Sequence, residues 1–240
     1  MRVLDLFSGI GGFSLGLERA GMTTVAFCEI EPYCRAVLRK HWPEVPIYED
    51  IRTLTAATLE RAGIAVDVIC GGFPCQDISL AGKRGGIRSE RSGLWFEYAR
   101  LIGEIRPRFV IVENVAALLD NGMGDVLGTL STLGYDAEWD IIPASAVGGL
   151  HRRERLWITA YPNTDSVRLQ RVRPSPSRAW CKQQFARLVQ DTAQVSVPSG
   201  RSGGISDGVS SRSHRLKALG NAVVPQIPEL IGRAIMEAAQ

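Results

Sequence analysis

Six short apolar segments read as strands, at about Val3–Phe7, Thr24–Cys28, Ala65–Cys70, Phe109–Val112, Tyr135–Ile141 and Leu156–Tyr161. Helical periodicity fills the spaces between them, most clearly over Phe13–Ala20, Pro32–His41 and Leu94–Ile105. Strands alternating with helices imply βαβ units, in which a mostly parallel sheet is covered on both faces. The sequence therefore predicts a doubly wound, Rossmann-like α/β fold. Such sheets bind ligands in the crevice beyond the carboxyl ends of their strands, so chemistry is sought in the loops there.

The alternation stops at Tyr161. Residues 1–161 form the α/β body, and 162–213 are rich in Arg, Ser, Pro and Gly, with helical character only at Trp180–Val189. Residues 214–240 return to an apolar pattern and are expected to rejoin the body as a single helix. The net charge of +3 hides an asymmetry, because residues 151–217 hold 13 Lys and Arg against 4 Asp and Glu. A basic segment on a neutral-to-acidic body suits a polyanionic partner, although a solvated arginine-rich loop has the same composition. No apolar run approaches the roughly 18 residues of a membrane span. The sequence opens directly on a strand, and no secretory leader is expected. Cys28, Cys34, Cys70, Cys75 and Cys181 include no Cys-x-x-Cys pair, which disfavours a metal site or disulfide framework and suits a reducing cytoplasm.

The first crevice loop, Asp5-Leu6-Phe7-Ser8-Gly9-Ile10-Gly11-Gly12-Phe13, carries a strand through glycines into a helix. Glycines allow close approach of the backbone to a ligand, and the helix start offers unpaired N–H groups. A dinucleotide fingerprint needs a third glycine at position 14, where Ser14 stands, so a pyrophosphate is disfavoured. Glu29, followed by Ile30, lies just past the second strand, where a carboxylate accepts from ribose hydroxyls. Asp50-Ile51 opens the third loop, where an acid takes an amino donor and an apolar neighbour covers a flat base. Adenosine without pyrophosphate fits this set, which places S-adenosylmethionine ahead of NAD.

Gly71-Gly72-Phe73-Pro74-Cys75-Gln76 puts a cysteine after a proline, beyond the apolar run 64–70. Pro74 stiffens the approach to the thiol. From this loop alone, Cys75 is equally a nucleophile or a small buried residue.

Together these stretches resemble the DNA cytosine-5 methyltransferase family. Residues 5–13 are similar to its cofactor motif, and Gly72-Phe73-Pro74-Cys75-Gln76 to its catalytic loop, continued by Ser79-x-x-Gly82-Lys83. Ser92-Gly93-Leu94, Glu113-Asn114-Val115, Arg153-Glu154-Arg155 and Gly220-Asn221-Ala222-Val223 match further motifs in order and approximate spacing. The resemblance implies an S-adenosylmethionine-dependent enzyme that methylates C5 of a cytosine flipped out of double-stranded DNA. Cys75 would attack C6, Glu113 would protonate N3, and Arg155 or Arg153 would stabilise O2 and nearby phosphates. Asp5, Phe7, Gly9, Gly11, Gly12, Glu29, Ile30, Asp50, Ile51, Pro74, Leu94 and Asn221 are the implied cofactor residues. Ser79, Lys83, Arg168, Arg171, Arg173 and Trp180 are the expected DNA contacts.

Two positions depart from the pattern: His151 stands for Gln and Ala222 for the usual Ser. The recognition region, 162–213, is short and lacks strand alternation. Family members acting on transfer RNA share the same motifs, so an RNA cytosine-5 methyltransferase and a catalytically idle nucleic-acid-binding relative stand as alternatives. The expected protein is a cytoplasmic monomer, without membrane or metal, of restriction-modification or phage type. A separately acting restriction endonuclease is its expected companion.

Overall fold

The computed structural model describes residues 1–74, 93–149, 152–163 and 212–239. Within them, strands β1 (Arg2–Leu6), β2 (Thr23–Cys28), β3 (Ile47–Tyr48), β4 (Val68–Gly72), β5 (Phe109–Val115), β6 (Tyr135–Pro143) and β7 (Glu154–Pro162) form one sheet in the order β3-β2-β1-β4-β5-β7-β6. The first five are mutually parallel, and β7 runs antiparallel between β5 and β6. The helices are α1 (Gly12–Arg19), α2 (Pro32–His41), α3 (Ala56–Arg61), α4 (Leu94–Ile105), α5 (Met123–Thr132), α6 (Arg212–Asn221) and α7 (Gln226–Ala238).

Strand residues alternate between two cores. Leu4, Leu6, Ile69, Val110 and Val112 pack on one side with Trp95, Tyr98, Leu101 and Ile102 of α4. Val3, Val68, Cys70, Phe109 and Ile111 pack on the other with Phe13 and Leu17 of α1 and with Ile227, Leu230, Ile231 and Ile235 of α7. The period of two explains why central strands read as continuous apolar runs: both faces are covered. The chain winds outward from β1 through β2 to β3, then restarts at β4 on β1's other side. This reversal opens a crevice at the carboxyl ends of β1 and β4.

Two expectations need correction. The apolar C-terminal stretch is two helices rather than one, separated by residues 222–225. Pro225 cannot continue a helix, because its ring clashes with the carbonyl four residues earlier and it has no N–H to donate. The fourth strand begins at Val68 instead of Ala65, and Asp67 just before it binds Arg2, with Oδ2 accepting from the Arg2 backbone N–H at 2.8 Å. Strand β3, α3 and α5 were not anticipated. β3 has two residues, α3 has six, and Gly124 and Gly128 weaken the helical signal of α5. The expected helix at Trp180–Val189 lies outside the described residues.

Candidate active site

The loop after β1 is set by a buried acid. Asp5, fully buried in β1, accepts the Ser14 hydroxyl on Oδ2 at 2.7 Å, and its backbone carbonyl accepts the Ser8 hydroxyl at 2.6 Å. Burial pushes the Asp5 carboxyl up to about 7, against the lowering contact with Ser14. Asp5 therefore braces the loop from behind, and Ser14, where a dinucleotide loop needs glycine, is its partner. Phe7 is left-handed at φ 52, an uncommon state for a bulky residue and one that concentrates at ligand-binding turns.

Gly9 is also left-handed, at φ 55, and a Cβ there would meet nothing within 4 Å. Its N–H donates to Glu29 Oε2 at 2.7 Å, while Glu31 N–H donates to Oε1, also at 2.7 Å. Glu29 is thus buried and oriented by two backbone donors, with lone pairs to spare on a carboxylate that offers about four. Burial raises its pKa, and those same hydrogen bonds oppose the shift. Next to it, Ile30 is 59% exposed, whereas Ile51 is buried with Leu54 and Leu59. The exposed aliphatic surface of the two is therefore Ile30, and Ile51 belongs to the core. Asp50 stays ionised below its usual range because the Arg52 side chain grips it, with Nη2 donating to Oδ2 at 2.6 Å. Leu94 opens α4 and packs against the same core as Phe7. Gly11 and Gly12 serve packing: added Cβ atoms would lie 2.6 Å from the Trp42 ring and from the Val223 carbonyl oxygen, respectively.

A second cluster stands at the ends of β4, β5 and β7. Glu113 is in register with Gly72 on one side and Trp157 on the other. Arg155 lies opposite Val115, two residues along the same face, and its Nε contacts Glu113 Oε1 at 2.9 Å. A Cβ on Gly72 would fall 2.6 Å from Glu113 Oε2, so the carboxylate in this position lies directly over the glycine. Burial raises the Glu113 pKa further than the Arg155 and Arg153 charges lower it. Arg153 has φ 26, and its guanidinium makes no hydrogen bond or ion pair among the described residues; burial lowers its pKa. A small cleft is lined by Glu113, Ala144, Arg153, Arg155, Ala222 and Val223.

Pro74 is the last described residue before Cys75, which itself lies outside the described residues, as do Ser79, Lys83, Arg168, Arg171, Arg173 and Trp180. Asn114 was missed as a site residue, although it stands beside Glu113 in sequence. Its buried amide donates to the Phe73 carbonyl at 3.1 Å and so ties the β4 loop to β5. In the 220–223 motif, Ala222 and Val223 reach the cleft, while Asn221 is the exposed last residue of α6.

The sheet order and the glycine turn define a Rossmann-like α/β protein with a crevice at its switch point, beside the acid that follows β2. The model of the family described as C-5 cytosine-specific DNA methylase matches residues 1–201, and the chain belongs to that family. It is similar to the Type II methyltransferase M2.BsuMI of Bacillus subtilis (strain 168), at 39% identity over 168 residues, 67% of this chain and 42% of that protein. It is also similar to the Type II methyltransferase M.HhaI of Haemophilus parahaemolyticus, at 32% identity over 167 residues, 68% of this chain and 50% of that protein. The chain thus spans half or less of the length of these two relatives. The solved structure of the Entamoeba histolytica methyltransferase EhMeth shares the fold across 100% of this chain and 99% of its own, with a TM-score of 0.70 at 15% identity. No described helix is long and apolar enough to cross a membrane.

Proposed function

We propose that this chain methylates C5 of cytosine in double-stranded DNA, using S-adenosylmethionine. The observation that carries the reading is the Glu113–Arg155 pair, seated over Gly72 at the sheet edge from which the chain leads through Pro74 to Cys75. A largely buried acid with raised pKa and two guanidiniums suits a ring that gains negative charge at N3 and O2.

The first crevice fits the adenosine end of the cofactor. Gly9 leaves open space, Glu29 retains acceptor capacity for ribose hydroxyls, and exposed Ile30 offers an apolar cover. When bound, S-adenosylmethionine supplies the electrophilic methyl that activated C5 accepts. The other steps belong to the protein. The Cys75 thiolate forms a bond to C6, and the displaced ring electrons move towards N3 and C5. Glu113 gives its proton to N3, and Arg155 or Arg153 meets the charge at O2. Once C5 is methylated, N3 returns its proton to Glu113; loss of the C5 proton to solvent water then expels the thiolate and restores the C5–C6 double bond. The basic segment, with Arg168, Arg171 and Arg173, supplies phosphate contacts, and cytosine C6 becomes accessible by flipping the base from the stack.

Labelled S-adenosylmethionine offered side by side with duplex DNA and transfer RNA tests the reading. Incorporation into the duplex as 5-methylcytosine supports it; incorporation into the RNA alone would replace the substrate, and incorporation into neither would remove the activity.

A further inference from the structure

Two of the crevice loops are joined by a side chain that the proposed chemistry does not use. Arg35, on the second turn of α2, is only 12% exposed and points back over the start of its own helix. Its Nη1 donates to the Ile30 carbonyl at 2.6 Å and to the Glu29 carbonyl at 3.3 Å. Its Nη2 lies 3.2 Å from Glu49 Oε1, in the residue that follows β3 and precedes Asp50. One planar guanidinium therefore spans the turn carrying Glu29 and Ile30 and the loop carrying Asp50. Between these loops, the main-chain ties are those of the short β2–β3 ladder and its flanks, among them Phe27 N–H to the Pro46 carbonyl and Glu29 N–H to the Tyr48 carbonyl, each at 2.9 Å. These leave the tips of the loops, beyond the strands, to side chains.

We propose that Arg35 is a positioning residue for the cofactor, fixing the separation of Glu29 and Ile30 from Asp50 so that all three meet one adenosine. This rests on the reading of the crevice as an S-adenosylmethionine pocket. The two arms of the clamp differ in strength. Glu49 is 66% exposed, and an ion pair so open to water contributes little, whereas the short charge-assisted bond to the Ile30 carbonyl, backed by the longer one to Glu29, comes from the largely buried Arg35 side chain and is the stronger kind. Arginine suits the place because its fork is planar and rigid; a lysine ammonium would satisfy one loop at a time.

Titration calorimetry with S-adenosylmethionine and S-adenosylhomocysteine tests the assignment in the full chain. Arg35→Gln should weaken both by about tenfold, the lower end of what removing a supporting partner costs at metal sites. Both ligands should lose the same factor, since the clamp acts on their common adenosine. Glu49→Gln should weaken them only about twofold, and the double variant should bind no worse than Arg35→Gln, because Glu49 acts through Arg35. Arg35→Lys should recover part of the loss. Equal affinity of Arg35→Gln and wild type would overturn the proposal, and so would losses that add in the double variant or that follow a fall in melting temperature. A wild type that binds neither ligand would overturn the cofactor reading itself, and the clamp with it.

Discussion

Glu113 sits where two influences oppose one another. Burial favours its neutral form, and the Arg155 guanidinium 2.9 Å away favours the carboxylate. On the proposed reading, a cytosine entering the cleft would draw Arg155 towards its O2 and so shift the balance further towards the acid form that donates to N3. Glu113→Gln keeps the shape and removes the proton donor. It should therefore lower kcat by about 10²–10⁴-fold while leaving the affinity for S-adenosylmethionine within about threefold of wild type. Cofactor affinity falling in step with rate would move Glu113 from the base to the cofactor pocket. Asp5 supports a second test. Its carboxyl rises from an ordinary 3.8 to about 7 in the folded chain, so the folded state holds this proton across that interval while the unfolded state has lost it. Its stabilising contribution is complete below about pH 4 and is lost as pH rises through about 7. Asp5→Asn, whose carbonyl oxygen can still accept from Ser14, removes this dependence. Denaturation midpoints between about pH 4.5 and 7.5 should fall for wild type relative to the variant, and parallel curves would contradict the assignment. At this scale the sequence was informative about which residues gather but less so about their duties. Asp5 and Ile51 belong to crevice loops in the sequence, yet their alternation and neighbours turn them inwards. Asn114 carried no signal beyond its motif, because a hydrogen bond to Phe73 connects residues 41 apart in the chain.

The packing of α1 against α7 determines how the glycine loop is held. Gly16 faces the Pro225 carbonyl oxygen so closely that an added Cβ would lie 2.2 Å away, with Pro228 Cγ at 2.8 Å. Alanine improves helix propensity by up to about 1 kcal/mol, but overpacking costs about 1–3 kcal/mol. Backbone at 2.2 Å cannot yield as a flexible side chain can, so the second effect prevails. Gly16→Ala should lower the melting temperature by several degrees, whereas a stabilised variant would show that α7 is free to shift. Elements with strong periodicity were legible to the residue: α2 and α4 fall at Pro32–His41 and Leu94–Ile105 as the sequence predicts. The direction of β7 was not legible, since a strand's apolar pattern is the same whichever way it runs. Nor was the break at residues 222–225, where the apolar pattern continues through Ala222, Val223 and Val224 and only Pro225 interrupts it.

Across the whole molecule, positive charge is concentrated late in the chain: 13 of the 28 Lys and Arg fall in residues 151–217, and of these Arg153 and Arg155 line the cleft beside Glu113. If Arg168, Arg171 and Arg173 each touch a phosphate, neutralising all three should flatten the slope of log affinity against log salt by about 2–3 units, because each contact contributes about −0.9. Cofactor affinity should not change, and an unaltered salt slope would place the phosphate contacts elsewhere. The central claim, that this chain places a methyl group on cytosine C5 through Cys75, is tested most directly by cytosine-resolved methylation sequencing of DNA from cells expressing it. Wild type should produce 5-methylcytosine at one recurring sequence, and Cys75→Ser, with a hydroxyl scarcely ionised at neutral pH, should produce none. Absence of 5-methylcytosine with wild type, or its persistence in Cys75→Ser, would contradict the account.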